Sequence, residues 1–483
     1  MTKFLMFQGT SSHVGKSILT TALCRIFYRD GRRVAPFKAQ NMALNSFVTA
    51  DGLEMGRAQV AQAEAAGLAP RVEMNPVLLK PTGNQTSQVI INGRAVGVMS
   101  AAAYHQGYSL KAFDAVKAAL QKLSAEFNTI IIEGAGSPAE VNLKANDIVN
   151  MRVAKYLNAP VILVADIDRG GALASLVGTL ELLDDDERDL VKGLVINKFR
   201  GDVNLLLPAV DFLERKTSKP VLGIVPFIEK LGIDDEDSVS LDDKISSGGE
   251  ISIAVIRLGK LSNFTDFDSL AGEADVNLFY ATAPAELDGA DVIILPGSKN
   301  TSEDLLGLRA NHFAEKILQR AAAGAAIVGI CGGFQMLGEK IFDPLKTESN
   351  HIELDGLKLL PIETTFSAEK FTRQVTLPEI DFNFFCSRIV SENLSGYEIH
   401  AGASNLGDKK FIVNKNVFGT YVHGIFDNDD FRRKFLNAVR RKKNLPPLEA
   451  THNVQAEKQK NYDRLANVVR ESLNMNLLEK IMA

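Results

Sequence analysis

The sequence predicts an α/β protein with two doubly wound, mostly parallel sheets, and three observations lead there. Short strands rich in β-branched and aromatic residues alternate with helix-like stretches, the pattern of a parallel sheet covered on both faces. That pattern runs twice, on either side of an acidic, Ser/Gly-rich stretch at 232–250. In each series an apolar run stops at a glycine-rich turn, "GTSSHVGKS" at 9–17 and "GICGG" at 329–333.

A chain of 483 residues is too long for one hydrophobic core. The expected division is a first domain over 1–235, a linker over 236–250, a second domain over 251–440 and a helical tail over 441–483. The tail contains "YDRLANVVRESLNMNLLEKIM", which has amphipathic spacing. A net charge of −5 argues against a nucleic-acid partner. No apolar stretch approaches the ~20 residues of a membrane span. The opening residues lack the apolar core and cleavage site of an export signal. Cys24, Cys331 and Cys386 are too few and too scattered for a disulfide framework, so the cytoplasm is the expected location. Oligomeric state leaves no mark in the sequence.

The first series has strands at "FLMF", "RVAPFK", "TIIIEG", "PVILVAD" and "GLVINKF", with helices at "SILTTALCRIF" and "GRAQVAQAEAAG". Its first strand runs directly into Gly9 and Thr10, and the following helix starts at Gly15-Lys16-Ser17. A glycine-rich turn before a helix aims backbone N–H groups at an anion. Lys16 would add charge on the β/γ-phosphates and Ser17 a hydroxyl for Mg²⁺. The loop is one residue longer than the standard phosphate-binding pattern, and the extra residue can be looped out beside the phosphates. Glu133 leaves a buried run where a carboxylate can hold Mg²⁺. Asp51 and Glu54, in "DGLEMGRAQ", are expected to begin a helix that turns carboxylates toward the same metal. Asp166 and Asp168 end another strand, and for all these acids an N-cap or solvated surface group is the ordinary alternative. "INKFRGD" at 196–202 is like a guanine-recognition motif, but Arg200 stands where its acid belongs. Asn197 is therefore expected to be a general purine contact.

The second series has strands at "ISIAVIRL", "VNLFYAT", "DVIILPGS", "AIVGICGG" and "FGTYVHGIF". Glycines on both sides of Cys331 make a cysteine form of the nucleophile elbow. A helix N-terminus favours the thiolate there, and the N–H groups of the turn can stabilise an oxyanion. Gly333 is the candidate donor from the turn, and Gly297 in "LPGSKNT" the candidate second donor. His423, 92 residues downstream in "GTYVHGIF", is the expected base, and His400 in "GYEIHAG" is the other histidine with strong local context. A thiolate–histidine site suggests release of ammonia from an amide, and an ATP site suggests activation of a carboxylate. Together they describe a glutamine-dependent ligase.

The whole chain resembles the cobyric acid synthases, amidotransferases of the cobalamin pathway. The resemblance rests on "KAQNMALNS" (38–46), "DGLEMGRAQVAQAEAAG" (51–67), "MNPVLLKPTGNQTSQV" (74–89), "EGAGSPAEVNL" (133–143), "DIVNM" (147–151), "DIDRGG" (166–171) and "NKFRGD" (197–202). In the second half it rests on "SNFTDFD" (262–268), "LPGSKNT", "GICGGFQMLG", "GYEIHAG" and "YVHGIF", and in the tail on "YDRLA" (462–466). The first half also resembles the dethiobiotin synthetase group of P-loop enzymes, which share the longer loop. The resemblance implies a P-loop NTPase-like domain followed by a class I glutamine amidotransferase-like domain. It implies ATP- and Mg²⁺-dependent amidation of the b, d, e and g carboxylates of adenosylcobyrinic acid a,c-diamide, with corrinoid, glutamine and ATP as small-molecule partners. It assigns phosphate and metal roles to Lys16 and Ser17, metal roles to Asp51 and Glu133, nucleophile and base to Cys331 and His423, and substrate-side roles to Lys38 and Glu54.

One position departs from the class I pattern, because Ile425 stands where a glutamate usually orients the histidine. Either another residue, with Glu398 a candidate, orients His423, or the site works as a dyad with modest activity coupled to the synthetase. Two other readings compete: a sister enzyme amidating the a and c groups, disfavoured by "KAQNM" and "MNPVLLKP", and a partitioning-type ATPase, disfavoured by Cys331 and His423.

Overall fold

The computed structural model describes residues 2–483 apart from 84, 230, 234–247, 386, 408 and 451. Most of the expected linker, and Cys386, therefore lie outside the described residues.

The first sheet is formed by β1 (Lys3–Gly9), β2 (Val34–Phe37), β3 (Thr129–Glu133), β4 (Val161–Asp166), β5 (Val191–Phe199) and β6 (Val221–Pro226), in the order β6-β5-β4-β1-β3-β2. Every neighbouring pair is parallel. β3 and β4 are buried along their whole length, which explains why they read as unbroken apolar runs rather than alternating ones. The order reverses at β1, which lies between β3 and β4, so the carboxyl ends of these strands open a crevice. Gly9, Glu133, Asp166 and Asn197 all sit at that edge.

A small four-stranded sheet (Gln40–Met42, Val77–Gly83, Thr86–Ile91 and Arg94–Ser100) is inserted between β2 and β3. "DGLEMG" differs from expectation: Glu54–Gly56 is a short strand paired with Ser46–Val48, and the helix begins only at Arg57. Asp51 therefore sits in an exposed turn rather than on a helix.

The second sheet comprises β7 (Ile251–Ile256), β8 (Val276–Ala281), β9 (Val292–Leu295) and β10 (Ala326–Ile330). After a long hairpin of β11 (Glu363–Phe384) and β12 (Ser387–Ser404), it is completed by β13 (Phe411–Asn414) and β14 (Val417–Thr420). Its order is β8-β7-β9-β10-β14-β13, parallel except for the edge strand β13. In the hairpin, Val375, Leu377, Ile380 and Phe384 are buried in one cluster with Phe431, Phe435 and Val439 of the helix Asp429–Lys442. No helix among the described residues is long and apolar enough to cross a membrane.

The tail is not a separate unit. Its helix Val454–Ser472 lies on the first helix, Lys16–Arg29, where Tyr462, Leu465 and Val469 share one core with Leu23, Ile26 and Phe27. Arg25 and Asp463 bridge the two helices at 2.9 Å. The chain thus returns to its first domain after building its second. Leu465 is fully buried, so Leu465→Ala is expected to cost about 3 kcal/mol in urea denaturation followed by circular dichroism. A loss under about 1 kcal/mol would mean that this helix is not docked.

Candidate functional site

The phosphate-binding loop is shaped by its extra residue. Val14 is buried in the core beneath the loop, and its carbonyl accepts from Asn197 Nδ2 at 2.8 Å. His13 takes a left-handed φ of 60°, and Gly15 one of 98° at the helix N-terminus. No side chain fits at Gly15, because a Cβ there would fall 2.0 Å from Asn197 Nδ2. Asn197 thus braces the loop from below and is not among the residues lining the cleft. Lys16 Nζ donates to the carbonyls of Ser11 (3.0 Å) and Gly136 (3.2 Å), while Thr10 N–H is held by Val164 O at 2.9 Å.

Beneath the loop Glu133 is buried, and Ser17 Oγ and Lys38 Nζ both meet its Oε1 at 2.8 Å. Gln62 donates to the other oxygen. Burial works against the charge, but Lys38, Ser17 and Gln62 together hold the carboxyl below its ordinary range. A hydroxyl beside a strand-end carboxylate is a hard oxygen pair that suits Mg²⁺ carried mainly by phosphates and water. Asp51 is bound to Thr49 Oγ1 and is not among the residues lining the cleft, so it does not join Ser17 and Glu133. Glu54 is also elsewhere, buried between Lys80 (2.9 Å) and Lys370 (2.5 Å). Burial opposes its charge, but the two ammonium groups hold its pKa down to about 2. Asp166 accepts from Lys198 at 2.9 Å, and Asp168 pairs with Arg200 at 3.2 Å. No group of three or more Asp, Glu, His or Cys able to hold a metal occurs among the described residues.

The loop opens into a cleft of about 1470 Å³, larger than the ~300–1,000 Å³ of ordinary ligand sites. Its walls include Tyr104 and Phe113 from the first domain and Leu261 and Phe264 from the second.

In the second domain Cys331 occupies φ 52°, ψ −108°, a strained geometry for a residue with a Cβ, at the junction of β10 and the helix Gly332–Met336. Its N–H is fixed by Thr420 O at 2.8 Å. Gly333 N–H donates to Pro296 O at 2.9 Å, so it is already engaged, whereas Gly332 faces Ser298. A Cβ on Gly332 would lie 2.9 Å from Ser298 N, and one on Gly297 would lie 3.3 Å from His423 Cε1. At Gly332 that approach leaves no room for a Cβ, and at Gly297 a side chain would crowd Ser262 and His423.

His423 is buried and lines one small pocket together with Cys331, whose thiol donates to Ile399 O at 3.5 Å. The residue that orients it is Asp266, whose Oδ2 is 2.6 Å from Nδ1 and whose Oδ1 accepts from Gly424 N–H at 3.0 Å. Burial lowers the imidazole pKa, but the Asp266 carboxylate and the contact with Cys331 outweigh it and bring it up to about 10. Glu398 is occupied instead by Arg373, with Lys410 at 3.6 Å. His400 stacks on Tyr421 with ring centres 3.9 Å apart, and burial holds its pKa down to about 4, so it is neutral. Lys299, Glu348 and Lys370 line the small pocket over Cys331. Burial raises the Glu348 carboxyl to about 7.

Two family models match the chain. Residues 5–240 match a CobQ/CobB/MinD/ParA nucleotide binding domain, and residues 252–431 a CobB/CobQ-like glutamine amidotransferase domain. A cobyric acid synthase of Moorella thermoacetica is 50% identical over 100% of this chain and 98% of that protein. One from Carboxydothermus hydrogenoformans is 51% identical over 100% of both chains. One from Desulfitobacterium hafniense is 51% identical over 99% of this chain and 97% of that protein.

Two outcomes follow from the Asp266–His423 pair. Asp266→Asn is expected to slow glutamine hydrolysis about a hundredfold, at the low end of what general acid–base groups contribute. The folded pKa of His423, about 10, lies above its ordinary 6.5. Its stabilisation is therefore fully present below pH 6.5 and is lost as pH rises toward 10. Denaturation midpoints of wild type and Asp266→Asn should converge across that window.

Proposed function

The chain belongs to the cobyric acid synthase family, a family of glutamine-dependent ligases, and on that premise we propose that it amidates the b, d, e and g carboxylates of adenosylcobyrinic acid a,c-diamide. The observation that carries this reading is the joint one: a buried Cys331–His423–Asp266 set in the same chain as a phosphate-binding loop that opens into a cleft too large for a nucleotide alone.

In the second domain, Cys331 Sγ attacks the side-chain amide carbon of glutamine. The amide of Gly332, with the 297–298 loop opposite, supports the oxyanion. His423 gives its proton to the departing ammonia and then takes one from water, which cleaves the thioester and frees glutamate. Lys299 and Glu348 are suited to the α-carboxylate and α-ammonium of the bound glutamine.

In the first domain, the phosphate-binding loop and Lys16 hold the nucleotide while a corrinoid carboxylate takes its γ-phosphoryl group. Ammonia then displaces phosphate from the acyl phosphate, leaving the amide. Ser17 and Glu133 would hold Mg²⁺, which neutralises charge on the transferring phosphoryl group. Lys38 sits on the same Glu133 oxygen and balances that carboxylate. The apolar wall of Tyr104, Phe113, Leu261 and Phe264 suits the corrin ring.

The test incubates the protein with adenosylcobyrinic acid a,c-diamide, ATP and Mg²⁺, with glutamine or ammonia, and follows corrinoid mass. Four successive replacements of a carboxyl by a carboxamide are expected. Cys331→Ala should make them with ammonia only. ATP hydrolysis with no change of corrinoid mass would overturn the assignment.

A further inference from the structure

The segment that forms one wall of the nucleotide cleft continues into the surroundings of His423. Lys38 touches Glu133, and Gln40 to Leu44 line the cleft. The next three residues leave it and enter the second domain. Asn45 Oδ1 accepts from Thr265 Oγ1 at 3.3 Å, and Ser46 N–H donates to Asn263 Oδ1 at 3.1 Å. Phe47 packs edge-on to Tyr397, with ring centres 5.0 Å apart.

Both partners act directly on the glutaminase groups. Asn263 to Phe267 form a tight turn whose first residue is left-handed, and Asp266 N–H donates to Asn263 O at 3.1 Å. This turn sets where the Asp266 carboxylate stands. Tyr397 stacks on the His423 ring at 5.3 Å with the planes 20° apart, and the two residues exchange backbone hydrogen bonds of 3.1 and 2.8 Å. Its hydroxyl donates to Ser46 O at 3.1 Å and accepts from Asn263 Nδ2 at 3.3 Å. All of these groups except Phe47 are buried, so each hydrogen bond has no competing water. The Tyr397 hydroxyl is where the cleft wall, the Asp266 turn and the His423 ring meet.

We infer that Tyr397 and Asn45 are positioning residues that make glutamine hydrolysis depend on occupancy of the nucleotide and corrinoid cleft. Ligands that bear on residues 40–44 act through Asn45–Phe47 on the Asp266 turn and the His423 ring. The inference rests on the amidation reading above. A coupling of this kind is reciprocal for binding: whatever factor cleft ligands add to glutamine affinity, glutamine adds to theirs.

The experiment uses the full chain and measures glutamine hydrolysis with and without ATP and adenosylcobyrinic acid a,c-diamide, together with ammonia-driven corrinoid amidation. Tyr397→Phe keeps the ring stacked on His423 and removes only the hydroxyl. The stimulation of hydrolysis by cleft ligands is expected to fall about tenfold, within the usual range for coupled sites. Asn45→Ala should lower it similarly, and the double variant should fall little further, because both changes break one connection. An unchanged stimulation ratio in Tyr397→Phe, or ammonia-driven amidation that falls by the same factor, would overturn the inference. So would a wild type whose hydrolysis ignores cleft ligands. Failure of the wild type to amidate the corrinoid with ammonia would instead overturn the amidation reading.

Discussion

The buried contact between Asp266 and His423 is the constraint around which this molecule is arranged. Removing a carboxylate and an imidazole from water costs several kcal/mol per ion, and only close geometry with every remaining lone pair satisfied offsets that. Asp266 meets the requirement with one oxygen on Nδ1 and the other on Gly424 N–H. Around it stand a left-handed asparagine at 263, a backbone ladder between Tyr397 and His423, and a glycine at 297 whose Cβ would lie 3.3 Å from His423 Cε1.

The same economy appears around Glu133. A buried acid at a strand end would be expensive alone, and here a serine, a lysine and a glutamine from three different elements converge on it. Glu54 follows the rule a second time, with Lys80 from its own domain and Lys370 from the hairpin of the other. The interface between domains therefore contains a compensated buried charge, and separating the domains would expose that charge set together with the apolar contact of Phe47 and Val48 with Tyr397 and Ile399.

What could be read from the sequence is what local geometry encodes. Two strand–glycine–helix turns announce Gly15–Ser17 and Cys331, because a backbone that must approach an anion or expose a nucleophile needs glycine beside it. Alternating strands and helices likewise announce both parallel sheets. Asp266 is not legible in this way. It pairs with a residue 157 positions away, from a short turn with no periodicity, while Glu398 lies closer to His423 in the chain and is drawn off by Arg373. The long hairpin is hidden for a related reason. Its tip at 384–387 includes Phe385 at φ 55° in place of the Asn-Gly or Gly-X pair that usually marks such a turn. Asp51 misleads because a motif string says which residues sit near a site but not which way they face.

The return of the helix Val454–Ser472 to the first helix has a consequence for how the protein is made. Domains generally fold as units while the chain emerges from the N-terminus. Here the strip that includes Leu23, Ile26 and Phe27 waits for partners that are synthesised only after the whole second domain. During translation the first domain is thus an unfinished body with an open apolar seam, and the second domain becomes a loop whose two ends are clamped together when that seam closes.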